Sequence, residues 1–257
     1  MTDRPASDCI VMIPARLASA RLPDKALADI GGLPMIVQVW KRAMEAGIGR
    51  VVVAAGDQAI VDAVIAHNGE AVMTDPALPS GSDRITSALA EIDPGRRYGR
   101  VVNLQGDLPT IDPALLHAVL RPLDHLGTDI ASLAVATNEP AERDDPNVVK
   151  AIIAFGTEAR PADPASPFGR ALYFTRATAP SGPGPVYHHI GIYAYQRAAL
   201  ERFTSLEPSP LERRERLEQL RALEHGMTIG MPSVDTVPLG VDTSAQLAEA
   251  RRLLGEP

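Results

Sequence analysis

The chain has 257 residues, 45% of them hydrophobic and 22% charged, with a formal charge of −7 and a pI near 5.4. That acidity argues against nucleic acid as a partner, which needs a broad basic face. The single cysteine, Cys9, excludes an internal disulfide and a cysteine-rich zinc site, and no apolar run approaches the ~20 residues that span a bilayer.

In chain order, "CIVMIPA" reads as a buried strand, and the run after it, "MIPARLASARLPDKAL", carries Arg16, Arg21 and Lys25 in a stretch otherwise short of charge. "PMIVQVWKRAMEAG" reads as a helix: Pro34 suits its first turn, Ile36, Val37, Trp40 and Met44 share a face, and Gly47 ends it. "RVVVAAG" is a second strand, "QAIVDAVIAHNG" a second helix, "EAVMT" a third strand and "SGSDRITSALAEI" a helix with a polar start. "RVVNLQGD" is a fourth strand, followed by the helical "DPALLHAVLRPLDHL". Such alternation predicts an α/β fold with a largely parallel sheet, whose strand ends line a ligand-binding edge.

From about residue 129 the pattern changes. "DIASLAVAT", "NVVKAIIAF", "RALYFTRA" and "HHIGIYAYQ" are strand-like with no long helix between them, which predicts an antiparallel elaboration over about 129–195. The Pro/Gly-rich stretches "GTEARPADPASPFG" and "APSGPGP" read as mobile loops. "RAALERFTSL" and "SPLERRERLEQLRALEHG" read as helices, "TIGMPSV" as a strand and "DTSAQLAEARRLLG" as a last helix. No repeat or sharp break in composition divides the chain, so one α/β domain over residues 1–257 is expected. The N-terminus, "MTDRPASDC", lacks a basic-then-apolar leader, so a cytoplasmic protein without membrane insertion is expected.

The first strand is followed by neither G-x-G-x-x-G nor G-x-x-x-x-G-K-[ST], which excludes an ordinary dinucleotide fold and a P-loop. Three cations at a strand end still suit a polyphosphate, through side-chain charge and backbone N–H groups. Asp107 and Asp242 each close an apolar or Gly-terminated segment, and one or two carboxylates are what Mg²⁺ takes from a protein. Read locally, Asp107 is equally a turn residue before Pro109, and Asp242 an ordinary helix cap.

"IPARLASARLPDKALADIGGLPMI" resembles the N-terminal signature of the sugar nucleotidyltransferases, and within them the family of cytidylyltransferases that activate 3-deoxy-D-manno-octulosonate (KDO), whose usual form reads IPAR-x-x-S-x-RLPGK-x-L. "SGSDR", "NLQGD", "ALYFTRA", "HIGIYAY", "PSPLE", "LEQLR" and "GVDT" follow in family order. The resemblance implies a Rossmann-like, GT-A-like nucleotidyltransferase sandwich, a homodimer formed through the strand-rich segment, and formation of CMP-KDO and pyrophosphate from CTP and KDO for lipopolysaccharide synthesis, with Mg²⁺. Carried over residue by residue, it implies nucleotide binding by Ala15, Arg16, Arg21, Lys25 and Arg84, and catalysis by Lys25, Asp107 and Asp242, the two aspartates as metal ligands. For the sugar it implies Gln105, Arg176, His189, Glu218 and Gln219.

Five features depart from the family pattern. Asp24 stands where Gly is usual, Leu108 follows QGD where an acid is common, and "AAGD" replaces an ATDD-like run. The loop "GTEARPADPASP" is longer than usual, and the one around "SGPGPVY" is shorter. An 8-amino-KDO or sialate-like sugar acid is the alternative substrate, though "LASARLPDK" lacks the Gly/Ser/Lys-rich run of sialate enzymes. A nonenzymatic CTP sensor would have lost the two aspartates, and both are present.

Overall fold

The computed structural model describes residues 8–18, 21–125, 127–155 and 168–255. The chain forms two compact units: Met1–His117 with Pro238–Pro257, and Ala118–Val237.

The first unit opens with strand β1 (Cys9–Ala15), a 3₁₀ turn over Lys25–Leu27 and a small hairpin, β2 (Asp29–Ile30) and β3 (Leu33–Pro34). Helix α1 (Met35–Ala46), strand β4 (Arg50–Ala55), helix α2 (Gln58–Ala66), strand β5 (Ala71–Met73), helix α3 (Gly81–Ile92), strand β6 (Arg100–Asn103) and helix α4 (Ala114–Leu120) follow. Outside the antiparallel β2–β3 hairpin, the strands of this unit pair in parallel, in the order β5-β4-β1-β6. β1 and β4 are apolar almost throughout because they are buried on both faces. Numbered along the chain, these parallel strands run 3-2-1-4, and the order reverses direction between β1 and β6. In open α/β sheets that switch point is where ligands bind.

α1 ends at Gly47, in the left-handed conformation at φ 63. Its buried face is the expected one only in part. Ile36 and Val37 are buried as expected, together with Met35, Val39, Ala43 and Ala46, whereas Met44 is 48% exposed and Trp40 only half-buried. Met44 lies eight positions after Ile36, which puts it about 80° further round the helix. Pro34 stands just before the helix and ends β3.

The second unit contains strand β7 (Ile130–Thr137), a short helix α5 (Pro140–Asp144), and strands β8 (Lys150–Ala154), β9 (Phe168–Thr175) and β10 (Val186–Gln196). Helices α6 (Arg197–Ser205), α7 (Pro210–Glu215) and α8 (Gln219–Glu224) and strand β11 (Ile229–Val234) complete it. The order is β10-β7-β11-β9-β8; only β7–β11 is parallel, as a mixed elaboration demands. The single helix expected from "SPLERRERLEQLRALEHG" is two, broken where Arg216 adopts φ 57. Across the break the Glu212 carboxylate takes two hydrogen bonds from Arg221, at 2.8 and 2.6 Å, and holds α7 to α8. Of the two loops expected to be mobile, residues 156–167 lie outside the described set. The second is tied down: the Arg143 guanidinium donates to the carbonyls of Pro180, Gly182 and Gly184 at 2.8–3.2 Å.

Helix α9 (Ser244–Leu253) belongs again to the first unit. Leu247 and Ala250 of α9 pack with Val241 against Ile30 and Met35, joined by the half-buried Leu22, Ala28, Leu239 and Leu254. This cluster carries the end of the chain back to the loop after β1.

Candidate active site

The loops after β1 and β6 flank the switch point of the first unit and enclose a cleft of about 440 Å³. Ala15, Arg16, Arg21 and Lys25 line it from the first loop. Arg84 comes from α3, Gln105 and Asp107 from the loop after β6, and Asp242 from the segment before α9. All the nucleotide and metal candidates of the sequence thus meet in one place, together with Gln105.

Lys25 is the centre of the arrangement. Its ammonium donates to Asp107 Oδ2 and Asp242 Oδ1, both at 2.8 Å, and to the Val241 carbonyl at 3.2 Å. Burial pushes its pKa down, but the two carboxylates outweigh burial, and the net shift is upward from 10.5. Lys25 therefore stays charged throughout the physiological range. Arg21 donates to the other oxygen of Asp242 at 2.7 Å. The Val241 N–H also donates to the Asp107 carbonyl at 2.9 Å, so the main chain fixes the spacing of the two aspartates.

Asp242 is not the cap of α9. Thr243 caps it, accepting from Gln246 N, while the Gln246 side chain accepts from Thr243 N and Asp242 N. The Asp242 carboxylate is left for Lys25 and Arg21. Two carboxylates converging on one cation form a hard-oxygen donor set that fits a magnesium ion, which keeps its other positions for water and phosphate oxygens.

Arg84 lines the cleft but is only 2% exposed. Its guanidinium donates to Thr74 Oγ1 at 2.6 Å and to the carbonyls of Asp75 and Pro76 at 3.1 and 3.4 Å. Burial, and then the charge of Arg16, lower its pKa from 12.5. What it visibly does is hold the turn that leads into α3. A Cβ on Gly56 would lie 2.8 Å from Arg84 Nη1, so the glycine of "AAGD" makes room for that guanidinium. Next to it, Asp57 accepts from Leu17 N at 2.8 Å and pins the cationic loop, a task the sequence did not reveal. Its signal was an acid at the end of β4. Asp24 occupies the left-handed region at φ 54 and ψ 22, as its place in a family glycine position requires.

The remaining sugar candidates lie in the second unit. His189, on β10, is 9% exposed, and burial pushes its pKa down to about 3, with a smaller effect from His188. Its Nε2 is 2.9 Å from Ser132 Oγ, which is also 3.0 and 2.9 Å from the carbonyls of Ile190 and Ile192 at a bulge in β10. Those carbonyls only accept, so the single hydroxyl proton goes to one of them and Oγ accepts from His189 Nε2–H. His189 is thus a neutral imidazole whose Nδ1 is an acceptor. The rings of Phe174 and Tyr193 flank it at 4.8 and 5.6 Å, and Glu218 is close enough to Tyr193 to act on its hydroxyl electrostatically. Tyr193 was missed by the sequence reading although "HIGIYAY" contains it. Gln219 is buried at the start of α8 and Glu218, just before it, is half-buried, so neither belongs to a solvated helix face. Arg176, half-buried after β9, donates from Nε to the Glu215 carbonyl at 3.3 Å and from Nη1 to the Pro146 carbonyl at 3.1 Å.

The cytidylyltransferase family profile matches residues 10–229. The 3-deoxy-manno-octulosonate cytidylyltransferase of Rhodospirillum centenum is 61% identical over 254 residues, 99% of this chain and 96% of the relative. The chain belongs to this cytidylyltransferase family. The protein of the same name from Parvibaculum lavamentivorans is 60% identical, covering 95% of this chain and 92% of its own. Among solved structures, a CMP:2-keto-3-deoxy-manno-octonic acid synthetase complexed with CTP superposes with a TM-score of 0.86 at 35% identity, covering 97% of this chain and 99% of the other. A nucleotidyl transferase from Methanothermobacter, 14% identical with a TM-score of 0.62 over 96% and 97% of the two chains, shares the Rossmann-like α/β fold. Among the described residues of this cytidylyltransferase, no helix is long and apolar enough to cross a membrane.

Proposed function

We propose that the protein transfers the cytidylyl group of CTP to KDO, giving CMP-KDO and pyrophosphate, and so activates KDO for lipopolysaccharide synthesis. The observation that carries this reading is the convergence of Lys25, Asp107 and Asp242 at the switch-point cleft of a chain 61% identical to a 3-deoxy-manno-octulosonate cytidylyltransferase. A sugar hydroxyl attacks the α-phosphorus, the bond from that phosphorus to the bridging oxygen breaks, and pyrophosphate leaves. Such a transfer is catalysed mainly by positioning and by charge placed where charge develops. Arg16, Arg21 and Lys25 neutralise the β- and γ-phosphates as they depart, the arginines as bidentate forks and Lys25 as a point charge. Ala15, at the end of β1, and Arg84 serve the cytidine end.

Asp107 and Asp242 are the residues that would hold Mg²⁺. When bound, the ion supplies positive charge to the phosphate oxygens. Within the second unit, Arg176, His189, Glu218 and Gln219 are the residues for the sugar acid, Arg176 for its carboxylate and His189 Nδ1 for a hydroxyl proton; within the first unit, Gln105 is the candidate. The protein acts in the cytoplasm, where CTP is made, and as a homodimer. Light scattering should return twice the 27.3 kDa of one chain, and a mass near 27.3 kDa at micromolar concentration would rule the dimer out.

The test of the activity is pyrophosphate release across CTP, UTP, ATP and GTP with a panel containing KDO, 8-amino-KDO and a sialic acid. Release with CTP and KDO, abolished by a chelator and restored by Mg²⁺, is the expected result. Faster release with another sugar acid would reassign the substrate.

A further inference from the structure

Lys150 is a buried cation that the proposed reaction does not use. It lies on β8 with no exposed surface, yet among the described residues no carboxylate pairs with it. Its ammonium donates to main-chain carbonyls: Asp145 at 2.6 Å, Val148 at 2.9 Å and Arg176 at 3.3 Å. An ammonium has three protons, so these acceptors satisfy it fully. Burying a charge among neutral dipoles is unfavourable, and burial lowers the Lys150 pKa from 10.5, with the Asp145 and Asp144 charges working the other way. A methionine, unbranched and one atom shorter, would occupy most of the space without that penalty.

The acceptors show what the charge achieves. Two belong to the turn between α5 and β8, and the third is the carbonyl of Arg176 itself. The same turn supplies the Pro146 carbonyl that takes Arg176 Nη1. On the other side, Glu215 accepts from Arg176 N at 3.1 Å, and its carbonyl takes Arg176 Nε. The Arg176 side chain is thus stretched between two backbone anchors, and Lys150 ties one of them to the Arg176 main chain. Nη2 points its donors at no described residue's acceptor.

We propose that Lys150 is a positioning residue for sugar-acid recognition: it fixes the 145–148 turn against the backbone of Arg176, so that Pro146 holds the guanidinium in the orientation that receives the substrate carboxylate. The proposal rests on the reading of Arg176 as the carboxylate ligand. Lys150 touches no substrate in this account and acts only through Arg176.

The experiment is a cycle of full-length variants: Lys150→Met, Arg176→Ala and the pair together. Pyrophosphate release is followed with KDO varied at saturating CTP, then with CTP varied at saturating KDO. Lys150→Met should raise the KM for KDO by about tenfold, the scale of one weakened charge-assisted hydrogen bond, and leave the KM for CTP unchanged. In the Arg176→Ala background the same substitution should add nothing further, because the guanidinium it orients is gone. A structural role alone predicts the opposite. The loss would then appear in both KM values or in kcat, and it would multiply with that of Arg176→Ala; either result overturns the proposal. If Arg176→Ala alone leaves the KM for KDO unchanged, the assignment of Arg176 fails and the proposal falls with it, a failure distinct from additivity in the cycle. Should Lys150→Met not fold, Lys150→Gln, which keeps two donors, carries the same comparison, with the same two outcomes deciding it.

Discussion

Thr243 caps α9 through its hydroxyl, and Asp242, one residue earlier, faces Lys25 and Arg21. The two tasks can therefore be separated by substitution. Asp242→Asn keeps the shape and the Thr243 cap and removes one charge from a partly exposed ion pair, whose contribution to stability is about 1 kcal/mol or less. Its melting temperature should stay close to the parent's, while turnover falls about a hundredfold or more, the scale of one preorganised electrostatic group. Parent-like turnover at every Mg²⁺ concentration would remove Asp242 from the site. Asp24 is a second informative residue. It holds a left-handed conformation that costs a non-glycine residue about 1 kcal/mol, and it adds negative charge to the loop that carries Arg16, Arg21 and Lys25. Asp24→Gly should raise the melting temperature and lower the KM for CTP, and a fall in melting temperature would show that the carboxylate is needed where it stands.

The break between α7 and α8 decides where Glu218 and Gln219 sit. Arg216 leaves the helical conformation, Leu217 N returns to the Glu212 carbonyl, and α8 starts again directly after Glu218. The "PSPLE" and "LEQLR" motifs are explained by this element pair. The Ser209 N–H, just before α7, donates to Glu212 Oε2 at 3.0 Å, Glu212 pairs with Arg221, and the Arg221 guanidinium lies 5.1 Å from the centre of the Phe203 ring. Arg216→Gly should stabilise the protein by up to about 1 kcal/mol in chemical denaturation, since glycine reaches the left-handed region freely. It should leave turnover unchanged. Arg216→Val should cost more than that gain, because a β-branched residue is strained at positive φ. Equal stability of the two variants would show that the backbone geometry at this break is not what limits the sequence.

At the scale of the whole molecule, the pH dependence of stability carries a signature of His189. Its pKa is about 3 in the folded protein against 6.5 in the unfolded chain. Between these values the unfolded state binds more protons, so the stability this group contributes is complete above pH 6.5 and is lost as pH falls towards 3. The slope from this one group approaches about 1.4 kcal/mol per pH unit. Denaturant titrations at pH 7, 6, 5 and 4 should show the decline, and His189→Gln should flatten it. An unchanged slope in that variant would mean that carboxylates alone cause the acid sensitivity.

Much of the first unit was legible because local patterns encode it. Continuous apolar runs mark strands buried on both faces, helical periodicity marks α2 and α3, and the charged loop after β1 stands out from its surroundings. The limits of legibility have one physical reason: a side chain's partner across the fold is set by packing, which no local pattern records. Lys25 and Asp242 are 217 positions apart and meet because Leu247 and Ala250 pack on Ile30 and Met35. Arg84 looks like a surface charge at a helix start until Gly56 and Thr74 are placed beside it. The outward turn of Met44, the break at Arg216 and the burial of Lys150 are of the same kind. The sequence by itself determined the α/β class and the family. The tertiary structure alone decided which charges meet, which are buried, and which backbone carbonyls hold them.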